Sequence, residues 1–269
     1  MNTVKALVVT GFGLNCDIET AHALELAGAA ADRVHLNRVI GGDKRLNDYR
    51  ILVIGGGFSW GDDHGAGLIL AMRLKHRLGD ELLRFVAGDG LVIGICNGFQ
   101  VLVNLGLLPG FEPAALSREV ALIANDCGNF RDQWVRLWSN PQSPCVCTRG
   151  LTSLELPVRH GEGKFHAAPE VLAKLKAQGQ VALRYAGSDG RPAEGCFPAN
   201  PNGSIDDIAG ICDPSGRIFG LMPHPEAFNH WTNHPDWSRR KELLNRAGKP
   251  LPRLGDGIAI FANAVRYFN

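Results

Sequence analysis

Two short stretches of this chain carry residue types that could work together as a nucleophile and its base. The first is Leu91-Val92-Ile93-Gly94-Ile95-Cys96-Asn97-Gly98-Phe99-Gln100, an apolar run that ends at a cysteine between glycines. Gly-x-Cys-x-Gly at the end of a strand and the start of a helix is the elbow that exposes a nucleophile at the carboxyl edge of a parallel sheet. Gly94 and Gly98 keep side chains out of the turn, and the helix amino terminus favours thiolate over thiol. The amide of Asn97 would face the oxyanion of a tetrahedral intermediate. On this stretch alone, a buried structural cysteine at a tight strand–helix junction remains open.

The second stretch, Gly220-Leu221-Met222-Pro223-His224-Pro225-Glu226, supplies what such a cysteine needs. Prolines on both sides of His224 restrict the backbone. Glu226 is near enough to accept a hydrogen bond from one ring nitrogen, which leaves the other for Cys96. The alternative is a histidine that merely ends a strand. A third cluster, Gly55-Gly56-Gly57-Phe58-Ser59-Trp60-Gly61-Asp62, also follows an apolar strand. It lacks the Gly-Lys-Ser/Thr ending and the GxGxxG spacing of phosphate loops, so an oxyanion donor at Gly56 or Gly57 fits it better.

Positioning these clusters takes a sheet. The first half alternates apolar strands with helical patterns, as in βαβ units: Val4 to Thr10, Val34 to Leu36, Ile51 to Ile54 and Leu91 to Ile95 as strands. Helices are expected from Asp17 to Leu26, capped by Asn15, from Leu68 to Phe85, and from Gly98 to Leu105. The Leu68 helix carries Leu70, Leu74, Leu78 and Leu82 on one side. The second half reads as strands at Val120 to Ala124, Trp134 to Trp138, Leu154 to Arg159 and Val181 to Tyr185. Ile208 to Cys212 and Ile218 to Met222 form a hairpin about Asp213-Pro214-Ser215-Gly216. The expected fold is therefore α/β, with a mostly parallel central sheet flanked by helices and an antiparallel extension. A single domain over residues 1–269 accounts for the chain, including a peripheral segment from His230 to Arg253. Asp256 to Phe268 reads as a closing helix capped by Asp256.

Composition narrows the function. With 28 Lys plus Arg against 27 Asp plus Glu, the formal net charge is +1, which argues against a nucleic-acid or anionic-membrane partner. No apolar run is long enough to span a bilayer, and Met1 to Gly13 does not read as a signal peptide. A cytoplasmic location follows, where the seven cysteines stay reduced. Cys145 and Cys147 would share one face of a strand. His230 and His234 stand four apart, but Pro235 follows at once and no HExxH glutamate is present. A structural or surface role is expected for that pair, and no metal.

The clusters, in their order, resemble the class I glutamine amidotransferase family, and within it the branch that forms the glutaminase subunit of phosphoribosylformylglycinamidine synthase. The resemblance rests on Gly11 to Asp17, Gly56 to Asp62, Gly94 to Gln100, His160-Gly161-Glu162-Gly163, Asn200-Pro201-Asn202-Gly203-Ser204 and Gly220 to Glu226. It departs at Asp63-His64-Gly65, where many relatives carry a bulkier pair, and in the His230 to Arg253 segment. It implies a class I amidotransferase (flavodoxin-like) fold in which Cys96 attacks the amide of L-glutamine, His224 acts as base and acid, and Glu226 orients it. Gly56 or Gly57 and Asn97 would make the oxyanion hole. Gln100, Phe58, His160, Gly161 and Glu162 would hold the substrate. No cofactor belongs to such a subunit; ATP and Mg2+ sit on the synthetase partner that receives the ammonia, and a small accessory subunit can complete the complex. A free-standing cysteine hydrolase of the same fold and a non-catalytic binding subunit are the alternatives.

Overall fold

The computed structural model describes residues 3–112 and 116–269. Its centre is a nine-stranded sheet in the order β2-β1-β3-β4-β11-β10-β9-β6-β7. The strands are β1 (Lys5–Thr10), β2 (Ala30–His35), β3 (Ile51–Ile54), β4 (Leu91–Ile95), β6 (Arg131–Ser139), β7 (Ser153–His160), β9 (Val181–Ala186), β10 (Ile208–Cys212) and β11 (Ile218–Leu221). Two further strands, β5 (Val120–Ile123) and β8 (Lys164–Ala167), pair with each other as a separate antiparallel ribbon. The helices are α1 (Asp17–Leu26), α2 (Leu36–Ile40), α3 (Leu68–Ala87), α4 (Asn97–Leu105), α5 (Pro169–Ala177), α6 (Trp237–Arg246) and α7 (Ile258–Arg266).

From β2 through β11 every neighbouring pair is parallel, whereas β11-β10-β9-β6-β7 is antiparallel throughout. A parallel core with an antiparallel extension is the expected architecture. Helices cover the parallel part, with α1 packing against α7 and α3 against α4. That cover explains why β3 and β4 are apolar at nearly every position, because strands buried on both sides need no polar alternation. The buried side of α3 carries Leu70, Leu74, Leu78 and Leu82, the stripe its spacing predicts.

Several local expectations are corrected. Cys16, not Asn15, occupies the N-cap of α1, and it makes no side-chain cap bond. Gly257 rather than Asp256 precedes the first residue of α7. Leu36 opens a short helix instead of ending β2. The strand at Val120 belongs to the β5–β8 ribbon and not to the extension of the main sheet. Cys145 and Cys147 flank and enter a 3-10 turn, Val146–Thr148, so strand alternation does not govern where they point. His230 caps the 3-10 turn Trp231–Asn233 and His234 follows it, so the pair does not share a helix. His234 is buried, its ring edge-on to Trp134, and its Nε2 lies 3.1 Å from Arg240.

The sheet edge that carries the clusters is set by register. Ile54 stands opposite Gly94, Gly94 opposite Gly220, and Ile95 opposite Leu221. Cys96 is thus one residue beyond the β4–β11 pairing, His224 three residues beyond it, and Gly56 two residues past the end of β3. All leave the sheet at one carboxyl edge, where open α/β sheets place their ligands. Gly98 makes this packing possible, since a Cβ there would run into the carbonyl oxygen of Ile54. Because the obstacle is backbone, Gly98→Ala must prise α4 from β3. Its expected cost is about 2–3 kcal/mol, seen as a thermal midpoint lower by about 5–12 °C; an unchanged midpoint would contradict this packing.

Candidate active site

Cys96 sits between β4 and α4 at φ 50°, ψ −104°. A positive φ at a non-glycine residue stores strain of roughly 1–3 kcal/mol. Here it is held by the Cys96 amide donating to Leu221 O at 2.8 Å and by Gln100 N–H donating back to Cys96 O at 3.1 Å. The thiol donates to the carbonyl oxygen of Arg159 at 3.6 Å. His224 is held by the same β7 backbone, its amide donating to Pro157 O at 2.8 Å. The far end of the antiparallel extension therefore curls back to fix both residues, although β7 and β4 stand five places apart in the sheet order.

Glu226 lies in the 3-10 turn Pro225–Ala227 and is fully buried, as is nearly all of His224. Nδ1 of His224 meets Oε1 of Glu226 at 2.6 Å. Nε2 is buried and has no hydrogen-bonding partner among the described residues. Burial works against an imidazolium at His224, but the Glu226 carboxylate and the neighbouring Cys96 and Cys16 outweigh it and hold the ring's pKa well above the ordinary histidine range. The amino end of α7 fixes the turn from outside, because a Cβ at Gly257 would strike Pro225 O.

These residues open onto a cavity of about 200 Å3 whose lining includes Cys96, His224, Gly57 and Phe58. Arg159 and Glu19, one residue of each charge, line it as well. A larger cavity, about 540 Å3, lies beside the amino ends of β4 and β11 among Val86, Phe111 and Ile218, with no cysteine or histidine in its lining. The glycine loop touches the base: a Cβ on Gly56 would come within 2.7 Å of Cε1 of His224. Gly57, at φ +146°, packs against the Gly13 carbonyl and the Asn15 amide too closely for any side chain. Asn97 is the first residue of α4, so its amide has no carbonyl partner within the helix.

The structure separates the remaining expected residues into a rim and a support. Phe58 is half exposed beside Phe130, at 6.3 Å between ring centres. Gln100 is buried, with Nε2 donating to Glu162 O at 2.5 Å and Oε1 accepting from Asn97 at 3.0 Å. His160 is buried, and burial followed by the charge of His224 lowers its pKa to about 3, so it stays neutral. Asn125 Oδ1 takes hydrogen bonds from Gly163 N–H at 3.0 Å and lies 3.2 Å from His160 Nδ1, while Asn125 N–H donates to Gly161 O. Asn202 Nδ2 donates to Gly163 O at 2.8 Å. The Asn200 to Ser204 segment thus braces the His160 to Gly163 turn from behind. Asn125, Cys16 and Arg159 are the contributors that sequence reasoning did not single out. Nothing local marks Asn125 or Arg159, whereas Cys16 lay inside a motif already noted.

Asp62 stands beside this support, accepting from Asn97 Nδ2 at 3.0 Å. Burial, then the nearby Glu162, push its carboxyl up to about 6, against the hydrogen bonds from Asn97 and Gly67. A raised carboxyl keeps in the folded state a proton that the unfolded chain releases near 3.8, so stability falls as pH rises between 3.8 and about 6. Asp62→Asn removes that loss. Its thermal midpoint should exceed the native one by about 2 °C at pH 8, a modest gain because the group is partly exposed. The gain should fade toward pH 4, and an equal gain at both pH values would exclude Asp62 as its source.

A strained cysteine on an elbow, a buried histidine–carboxylate pair and a glycine loop at the carboxyl edge of this sheet define an amidotransferase-type thiol site. Residues 3–268 match the CobB/CobQ-like glutamine amidotransferase domain, and the chain belongs to that family. It is 44% identical over 268 residues to the phosphoribosylformylglycinamidine synthase subunit PurQ of Methanococcus maripaludis, covering 98% of this chain and 97% of that one. The subunit of the same name from Dehalococcoides mccartyi is 45% identical over 267 residues, with 99% and 98% covered. Among solved structures, a chain of PurLQS from Thermotoga maritima superposes with a TM-score of 0.71 at 28% identity, each chain covered fully. No helix among the described residues is long and apolar enough to cross a membrane.

Proposed function

We propose that this chain is the glutaminase subunit of phosphoribosylformylglycinamidine synthase, releasing ammonia from L-glutamine for a synthetase partner in purine biosynthesis. The observation that carries the reading is the Cys96, His224 and Glu226 grouping at a cavity, in a chain similar end to end to that subunit. The cavity suits an amino acid: Arg159 can meet an α-carboxylate and Glu19 an α-ammonium.

In this reading His224 takes the Cys96 thiol proton, the sulfur attacks the side-chain amide carbon, and the oxyanion forms against the amides of Gly57, or Gly56, and Asn97. His224 gives its proton to the departing nitrogen, so ammonia leaves and a glutamyl thioester remains. His224 then takes a proton from water, the hydroxide displaces the sulfur, and glutamate departs. Glu226 fixes the ring throughout. Phe58 lies on the rim, while Gln100, His160, Gly161 and Glu162 hold the loop that shapes the cavity. We assign no cofactor to this subunit, place ATP and Mg2+ on the synthetase, and allow for a small accessory subunit in the complex.

The test is a glutamine-mimicking diazo-ketone, applied with and without the synthetase partner, with the adduct located by peptide mass spectrometry. Labelling of Cys96 that excess glutamine blocks is the expected result. Labelling elsewhere, or none under either condition, would return the chain to the binding-subunit alternative.

A further inference from the structure

Cys16 has no part in the chemistry above, yet its sulfur belongs to the catalytic cluster. Its backbone is held on both sides: the amide donates to Gly56 O at 3.2 Å, and the carbonyl accepts from Thr20 N–H at 3.1 Å and Thr20 Oγ1 at 2.5 Å. So anchored, the residue lines the same cavity as Cys96; its thiol donates to Asn15 Oδ1 at 3.6 Å, and a Cβ on Gly56 would meet both Cys16 Sγ and Cε1 of His224. One ligand atom each from Cys16, His224 and Glu226 lie within 4.8 Å of one another, and all three residues are buried. Nδ1 of His224 faces Glu226, and Oε2 of Glu226 is buried without a hydrogen-bonding partner among the described residues.

A sulfur, an imidazole nitrogen and a carboxylate oxygen this close are the donor set of a borderline divalent transition metal, not of the all-oxygen cations calcium and magnesium. Zinc takes such donors at about 2.0–2.3 Å. We propose that Cys16, His224 and Glu226 form an inhibitory site for such an ion, zinc being the type, with water completing the coordination. Its inhibitory consequence rests on the glutaminase reading; the binding itself does not.

While the ion is bound, His224 is a ligand and can neither take nor give a proton.

The test is titration of the purified chain with Zn2+ against a chromophoric zinc indicator, with Co2+ as a spectroscopic substitute, and no substrate present. One ion per chain is expected, with a thiolate-to-cobalt charge-transfer band in the near ultraviolet. Cys16→Ser should weaken zinc binding by at least about tenfold and remove much of that band. Glu226→Gln, with Cys16 intact, should also weaken binding, which covers the case in which Cys16→Ser does not fold. Equal affinity in both variants, or no stoichiometric binding to the native chain, would overturn the site. Binding as expected but with no loss of glutaminase activity would overturn the inhibitory half alone.

Discussion

Replacing Cys96 with alanine is expected to reduce glutamine-dependent synthesis by the assembled complex about 10^4-fold or more while leaving ammonia-dependent synthesis within about twofold of native. The size of the first effect follows from losing the elbow sulfur that forms the thioester. His224 and the oxyanion amides can then assist at most a direct attack by water. The second effect follows from the division of labour, since ammonia supplied in the medium does not need the cavity beside Cys96. The substitution is structurally mild. The thiol makes one long hydrogen bond, to Arg159 O at 3.6 Å, and the strained backbone is held by main-chain bonds that alanine keeps. The measurement is paired initial rates with glutamine and with ammonium salts at fixed subunit ratio. Loss of both activities would mean that Cys96 also holds the complex together, and retention of both would remove it from the chemistry.

What the sequence made legible was whatever was buried on both sides or bounded by glycine and proline. β3, β4 and β10 carry uninterrupted apolar runs, and their ends coincide with those read from the residues alone. Most of β2 escaped because it is the edge strand: in Ala30–His35 only Val34 is buried, so no pattern distinguishes it from a loop. α6 escaped for the same reason in helical form, having no buried residue to give it a stripe. The candidate triad was legible because Cys96 follows the end of β4, and His224 and Glu226 follow the end of β11, each end with its own local signal. Its setting was not. That the carbonyl groups of Pro157 and Arg159 hold His224 and Cys96 depends on β7 curling back from the far edge of the sheet, a long-range placement with no local trace. Cys16 shows the same limit, since its closeness to His224 arises only once β1 and β11 share a sheet.

The order of effects between His224 and Glu226 tests the rest of the triad. His224→Ala removes the group that moves every proton in the cycle, and its expected loss in kcat/KM is about 10^4-fold or more. Glu226→Gln keeps the shape of a fully buried side chain and a polar atom within reach of Nδ1, so its loss should be smaller, about 10^2-fold. It should leave a mark that His224→Ala cannot. With the carboxylate gone, the strongest influence sustaining the imidazolium is removed while burial still opposes it, so the pKa of His224 must fall. Any limb of the pH–rate profile that reports this ring then moves to lower pH. Glu226→Ala should shift the limb in the same direction and lose more activity, because it also leaves Nδ1 unpartnered and a cavity behind it. The measurement is kcat/KM for glutamine against pH for the three variants and the native chain. A limb that stays in place in Glu226→Gln, or a Glu226→Ala loss exceeding that of His224→Ala, would show that the carboxylate does more than orient and charge the imidazole.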